Sequence, residues 1–250
     1  MRRSAAQAGQ LRVLIDVPAD AAWNMAVDEA LLSVGRGAAL RLYGWSPHAV
    51  SLGYFQRFAD FADLPAETPI VRRLTGGGAI HHGDEVTFAL TCDPALLPRI
   101  DASYRALHDA AVRALQSVGV ADAHVVGGAP ASPRPEARWC FAEPGGGDVV
   151  TPRGKLLGSA QRRIASPRPR ILHHGSIVLK RPSLTPFVAA VADTRADEDA
   201  AAELRDALVR EFTHALRLAP RASRLTDEER ALATALSAGR YRDASFLRRR

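Results

Sequence analysis

The sequence predicts an α+β fold, and three observations predict it. Short strand-like segments fill the middle of the chain, helical periodicities flank them, and no repeat or linker separates the two. With 250 residues and 47% hydrophobic content, there is enough apolar material for one sizeable core.

The elements follow in order. Leu11 to Asp16 reads as a strand. From Asp20 to about Val34, Trp23, Val27, Leu31 and Val34 recur at helical spacing, and Gly35 stands as the stop. Two short strands follow, Leu40 to Tyr43 and Val50 to Gly53, across a turn from Trp45 to His48. Strand text resumes at Ile70 to Arg73, breaks at Gly76-Gly77-Gly78 and continues from Glu85 to Cys92. There Val86, Phe88 and Leu90 alternate with Glu85, Thr87 and Ala89, the pattern of a half-buried strand. Asp101 is placed to cap a helix with Tyr104, Leu107, Ala111, Leu115 and Val118 on one face and Gly119 ending it. Residues 127–138, rich in Gly, Pro and Ala, read as a long loop. Lys155 to Arg163 and Ile171 to Leu179 read as strands joined by the turn from Ser166 to Pro169. Beyond Pro182 the text is helical: Leu204, Leu208, Phe212 and Leu216 form a stripe, and Thr226-Asp227-Glu228-Glu229 forms a capping box for a last helix. The expected organisation is a flexible N-terminus over 1–10, one domain over 11–247 and a frayed tail, Arg248-Arg249-Arg250.

Composition removes several classes. No apolar run reaches the roughly 18–20 residues that span a bilayer, so no membrane partner is expected. Met1-Arg2-Arg3 is not followed by the apolar stretch of a secretory signal, and the cytoplasm is the expected compartment. Cys92 and Cys140 stand far apart, so neither a disulfide framework nor a metal site is expected. Net charge is +6 and arginine carries it, because Lys155 and Lys180 are the only lysines. If that charge recruits anything, an acidic protein fits better than nucleic acid, since no segment interleaves aromatic and basic residues.

Four segments carry chemistry. Arg72-Arg73-Leu74-Thr75-Gly76-Gly77-Gly78-Ala79-Ile80-His81-His82-Gly83 offers backbone that can approach a ligand closely, with arginines beside it to donate to an anion. Its spacing is neither a Rossmann nor a P-loop pattern, and glycines also mark plain turns. Gly154-Lys155-Leu156-Leu157-Gly158-Ser159-Ala160-Gln161-Arg162-Arg163 contains a lysine in a chain that uses arginine nearly everywhere else. An amine there suggests a compact donor with a tunable pKa. His173-His174-Gly175-Ser176-Ile177 sets two histidines beside a glycine, a pattern that packing alone also explains. Trp139-Cys140-Phe141 ends the long loop, where a thiol can be reached, whereas Cys92 lies in an apolar strand and reads as a small hydrophobe.

Together these segments resemble the lipoate–protein ligase and octanoyltransferase family, related to the biotin–protein ligases. Asn24 to Ala30 resembles that family's first helix, and Arg41 to Trp45 and Ser51 to Gln56 its next strands. Arg72 to Ile80 with His82 is similar to its acyl-binding loop, Gly154 to Arg162 to its lysine strand, and His174 to Ile177 to its closing motif. The resemblance implies a biotin/lipoate ligase-like catalytic domain with a large mixed or antiparallel sheet, a smaller sheet and flanking helices. It implies transfer of an octanoyl or similar acyl group from acyl carrier protein to a lysine of a lipoyl-carrier protein in lipoate biosynthesis. The acceptor would be a glycine-cleavage H-protein-like or dehydrogenase E2 lipoyl domain. Cys140 resembles the nucleophile of the cysteine-dependent members, with Lys155 beside it. Arg72, Thr75, Gly76, Gly77, Gly78, His82, Gly158, Ser159, His174 and Gly175 correspond to substrate-binding positions. No cofactor or metal is implied. An ATP-dependent lipoate or octanoate ligase, and an amidotransferase between carrier proteins, are the alternatives. The chain departs from the family in one place: after Cys-Phe it reads Pro144-Gly145-Gly146-Gly147-Asp148, keeping the aspartate and losing a serine and an aromatic residue.

Overall fold

The computed structural model describes residues 9–128, 138–166, 168–195, 197 and 199–249. Most of the expected flexible N-terminus, most of the loop over 127–138, Pro167 of the expected turn and Arg250 lie outside the described residues.

The strands are β1 (Gln10–Ile15), β2 (Ala38–Tyr43), β3 (Ala49–Leu52), β4 (Ile70–Arg72), β5 (Ile80–His82), β6 (Glu85–Cys92), β7 (His124–Val125), β8 (Val149–Thr151), β9 (Gly154–Ile164), β10 (Arg170–Val178) and β11 (Ala219–Ala222). The α-helices are α1 (Ala21–Ser33), α2 (Ile100–Ser117), α3 (Ala200–Leu216), α4 (Asp227–Leu236) and α5 (Ala244–Leu247). Eight strands form one mixed sheet in the order β11-β1-β2-β6-β10-β9-β8-β7, and a second sheet runs β4-β3-β5. The β11–β1–β2 pairings are parallel; from β2 to β7 the large sheet is antiparallel. The α+β class and the two-sheet plan of the sequence reading are those of the structure.

Both faces of the large sheet are covered. On one, Leu40, Leu42 and Phe88 pack with Leu107 and Leu115 of α2 and Leu208 and Phe212 of α3. Phe88 meets Phe212 edge to face at 5.1 Å. On the other, Leu14, Tyr43, Ala89 and Leu172 pack with Met25, Leu31 and neighbours on α1. This double cover corrects the half-buried reading of Glu85 to Cys92: all eight residues of β6 are buried, polar Glu85, Thr87 and Thr91 included. It also explains α1, which is buried around nearly its whole circumference; Trp23, expected on the inner stripe, and Ser33 at its end are its partly exposed residues, and Asn24, Asp28 and Glu29 lie inside.

Capping is as expected at two ends, different at one, and supplied at the start of α1 by a side chain given no such role from sequence. The Asp20 side chain accepts from Trp23 N at 3.0 Å, Gly119 takes φ +97° just past α2, and Thr226 and Glu229 close a reciprocal capping box. Asp101 does not cap α2: the helix starts one residue earlier, and Asp101 pairs with exposed Arg99. The α4 helix is followed by α5, whose end is held rather than frayed. The Leu247 carbonyl accepts from Arg72 Nε at 3.1 Å and Nη2 at 2.6 Å, and Arg249 reaches the Tyr54 hydroxyl at 2.7 Å.

Candidate active site

A cleft of about 420 Å³ lies between the large sheet, the small sheet and α1. Its lining changes along its length. Gly76, Gly77, Ile80, Cys140, Ser159 and Ala160 are partly exposed and mark the mouth, while Met25, Tyr43, Trp45, Ser51, His82, Thr87 and Ser176 are buried and mark the closed end.

Cys140 reaches the mouth because its backbone is tied to the strand after the glycine loop. Ala79 N donates to the Arg138 carbonyl and Cys140 N to the Ala79 carbonyl, both at 2.8 Å. The intervening Trp139 packs edge to face on Phe61. On the adjacent β9, Lys155 is 4% exposed. Its ammonium has three donors and three acceptors: Asp148 Oδ2 at 2.8 Å, the Cys140 carbonyl at 2.9 Å and Cys140 Sγ at 3.6 Å. Burial pulls the Lys155 pKa down, but a Cys140 thiolate and the Asp148 carboxylate outweigh it and leave the ammonium above the ordinary lysine value. Gly158 makes room for this side chain, since a Cβ there would sit 2.8 Å from Lys155 Cε.

Arg73 shapes the glycine loop. It is 3% exposed, and its Nη2 donates to the Gly76 and Gly78 carbonyls at 2.7 Å each, Nη1 to the Ser51 carbonyl at 3.0 Å and Nε to Thr75 Oγ1 at 3.2 Å. Burial lowers its pKa to about 10, against the opposing pull of Cys140. Gly77 adopts φ +94°, which brings its carbonyl to within 1.9 Å of where a Cβ on Gly53 would lie.

Two histidine relays back the cleft. His174 Nδ1 faces Asp28 Oδ2 at 3.1 Å and its Nε2 faces Thr75 Oγ1 at 2.7 Å. His82 Nδ1 faces Glu85 Oε1 at 2.8 Å, its Nε2 faces Ser51 Oγ at 2.8 Å, and Trp45 stacks on its ring at 3.7 Å. Burial would raise the Glu85 pKa, yet His82, Thr87 and Ser176 hold it below the ordinary carboxylate value.

Of the residues singled out from sequence, Cys140, Gly76, Gly77, His82, Gly158, Ser159, His174 and Gly175 line the cleft, and Lys155 reaches Cys140 from beside it. Thr75 and Gly78 stand behind the lining, bonded to His174 and Arg73. Arg72 lies elsewhere: it is fully buried, and its guanidinium donates to the carbonyls of Gly53, Tyr54, Gln56 and Leu247. The sequence reading quoted Arg73 and His173 within its motifs without placing either at the site, and gave Asp28, Glu85 and His108 no role. The one signal was a charged or imidazole side chain at a core-facing position, as with His108 between Leu107 and Ala111 on α2. Among the described residues no group of three or more His, Cys, Asp or Glu could hold a metal ion, and no helix is long and apolar enough to cross a membrane.

Comparison with known proteins gives a consistent pattern. Residues 20–221 match the family model described as the lipoyl protein ligase A/B catalytic domain. An octanoyltransferase LipM of Kyrpidia tusciae is 39% identical over 183 residues, 67% of this chain and 65% of that protein, so the match spans just under two thirds of the relative's length. The LipM of Symbiobacterium thermophilum is 32% identical over 87% of this chain and 90% of its own. Among solved structures, a lipoate protein ligase of T. acidophilum superposes with a TM-score of 0.77 at 25% identity, covering 98% of this chain and all of that one. A lipoate-protein ligase A bound with ATP superposes at 0.75 and 23% identity, over 96% of this chain and 98% of its own, a likeness of fold.

Proposed function

Because the chain belongs to the lipoyl protein ligase A/B catalytic-domain family, we propose that it is an octanoyltransferase that works through a Cys140 thioester. One observation carries the reading: Lys155 Nζ lies 3.6 Å from Cys140 Sγ at the mouth of a closed-ended cleft. The relatives named octanoyltransferase agree with it.

In the first half-reaction the Cys140 thiolate attacks the thioester carbonyl of an octanoyl group on acyl carrier protein. A new C–S bond forms, the carrier's C–S bond breaks, and the carrier leaves as a thiolate that takes up a proton. In the second, the ε-amine of a lysine on a lipoyl-domain protein attacks the acyl-enzyme. An amide forms, the amine gives up a proton and Cys140 leaves as the thiolate again. A thioester is a more reactive acyl donor than the amide product, so the sequence runs downhill without ATP.

Lys155 holds the thiolate in place and presents positive charge to it. We assign the developing oxyanion to backbone N–H groups along Gly76 to Gly78, a role worth about 3–4 kcal/mol per donor. The acyl tail runs inward from Cys140 between Ile80, Met25 and Tyr43 toward Trp45. Arg73, not Arg72, shapes the loop over it.

The test mixes the protein with octanoyl carrier protein in the presence of a chelator and measures intact mass. The expected result is a gain of one octanoyl group on Cys140, released by hydroxylamine and lost in Cys140→Ser, followed by transfer to a lipoyl domain. Product formed only from free octanoate with ATP, or full activity in Cys140→Ala, overturns the reading.

A further inference from the structure

Three glycines, Gly145, Gly146 and Gly147, lead into Asp148, the partner of Lys155. Glycine backbone has the most freedom to lose on ordering, and Gly147 uses that freedom with φ +88°. Within the loop, Gly145 N donates to Asp148 Oδ2 at 2.8 Å and Asp148 N to the Gly145 carbonyl at 3.1 Å, so the turn holds its own carboxylate, and what remains is to fix the turn against the rest of the fold. Backbone bonds join it to Val126, from Gly147 N at 2.9 Å and to the Asp148 carbonyl at 2.8 Å. Besides Lys155, which meets Asp148 itself, His108 ties the loop to the cleft: it is 1% exposed and its Nδ1 bonds the Gly147 carbonyl.

The direction of every bond in this chain is determined. A carbonyl only accepts, so His108 Nδ1 carries the proton. Burial lowers the His108 pKa, which favours the singly protonated ring. Its Nε2 is then an acceptor and takes the Ser159 hydroxyl proton at 2.6 Å. Ser159 Oγ accepts in turn from His173 Nε2 at 2.7 Å, and His173 Nδ1 accepts from Gln161 Nε2 at 3.1 Å. The relay runs one way, from Gln161 through the cleft-lining Ser159 to the loop that carries Asp148.

We infer that His108 is a positioning residue for acyl transfer: its neutral, Nδ1-protonated ring pins the Gly147 carbonyl, which sets Asp148 against Lys155 and Lys155 against Cys140. The inference rests on the octanoyltransferase reading. It goes beyond that reading by giving the chemistry of Cys140 a determinant that acts through the Gly147–Asp148 turn and Lys155.

Two readouts test it, one of which needs no transfer. The first is steady-state octanoyl transfer; the second is the rate at which iodoacetamide alkylates Cys140 at neutral pH, with melting as the control for folding. His108→Ala removes the anchor, and loss of one well-aligned hydrogen bond should lower kcat about tenfold at near-constant KM. Alkylation should slow in parallel. His108→Asn places an amide N–H where Nδ1 stood and should restore most of both, which a space-filling role would not explain. If His108→Ala does not fold, His108→Asn and Ser159→Ala carry the alkylation test, with Asn near the wild-type rate and Ala slowed. Wild-type kcat and alkylation in folded His108→Ala, an equal loss in His108→Asn and His108→Ala, or unchanged alkylation in Ser159→Ala would each overturn the inference. A wild-type protein that takes no octanoyl group, with alkylation still controlled by His108, would instead overturn the transferase reading and leave the positioning role standing.

Discussion

Replacing Lys155 by arginine keeps the charge and changes only its shape. The ammonium sits where three acceptors converge, at 2.8, 2.9 and 3.6 Å, with the Phe141 ring centre 5.0 Å away and 4% of the residue exposed. A guanidinium is longer and planar, and its donors fan out in a fixed fork that cannot aim three protons at one converging set. The side chain already runs close against the β9 backbone, since Lys155 Cε passes 2.8 Å from where a Cβ on Gly158 would stand. One charge-assisted hydrogen bond is worth about 1.5–3 kcal/mol, and losing the contact to sulfur or to Asp148 falls in that range. The expected effect of Lys155→Arg is therefore about a hundredfold slower acylation of Cys140, or about 2.7 kcal/mol of barrier. Lys180→Arg is the control: that side chain is 70% exposed and stands 3.7 Å from Asp84, so its rate should stay at wild type. The assay is single-turnover acyl transfer for each variant, with thermal melting to show that both fold. A wild-type rate in Lys155→Arg would refute the argument and reduce this lysine to general electrostatics.

Two further outcomes are expected. Gly158→Ala puts a methyl against the flexible end of Lys155, 3.1 Å from Nζ; the lysine can swing aside, so melting should barely change while transfer falls about tenfold, and an active Gly158→Ala enzyme would mean that Nζ need not stand beside Cys140. Stability should fall on mild acidification, because burial lowers the pKa values of His108 and His173, and burial with His82 and His48 lowers that of His81 to about 4. These rings are neutral in the fold and take up protons on unfolding, so the unfolded chain binds more protons below about pH 6.5 and stability is lost progressively as pH drops from there toward about 4; a melting temperature that is flat between about pH 7 and about pH 5 would contradict this.

What was legible from the sequence, and what was not, divides along a physical line. The stripes of α2 and α3, the capping box at Thr226, the turn at Gly119 and the strands around Lys155 and Ile171 follow from local periodicity and turn chemistry, which a one-dimensional text carries. The motifs likewise picked out most of the cleft lining, because close backbone approach demands glycine and a compact cation demands lysine. Strand β11 was missed because Ala219-Pro220-Arg221-Ala222 is exposed and has no alternation; it is a strand only because β1 lies beside it. The burial of β6 and α1 on all sides was missed because periodicity describes one covered face, and the second cover comes from elements distant in sequence. Arg72 and Arg73 show the limit most sharply. They are adjacent and chemically identical, yet side chains alternate across a strand. One therefore ties the chain's end to the 53–56 turn while the other wraps the glycine loop and lines the cleft. The sequence by itself determined which chemistry the chain carries. The tertiary structure decided which of two equivalent arginines, and which of eight histidines, faces it.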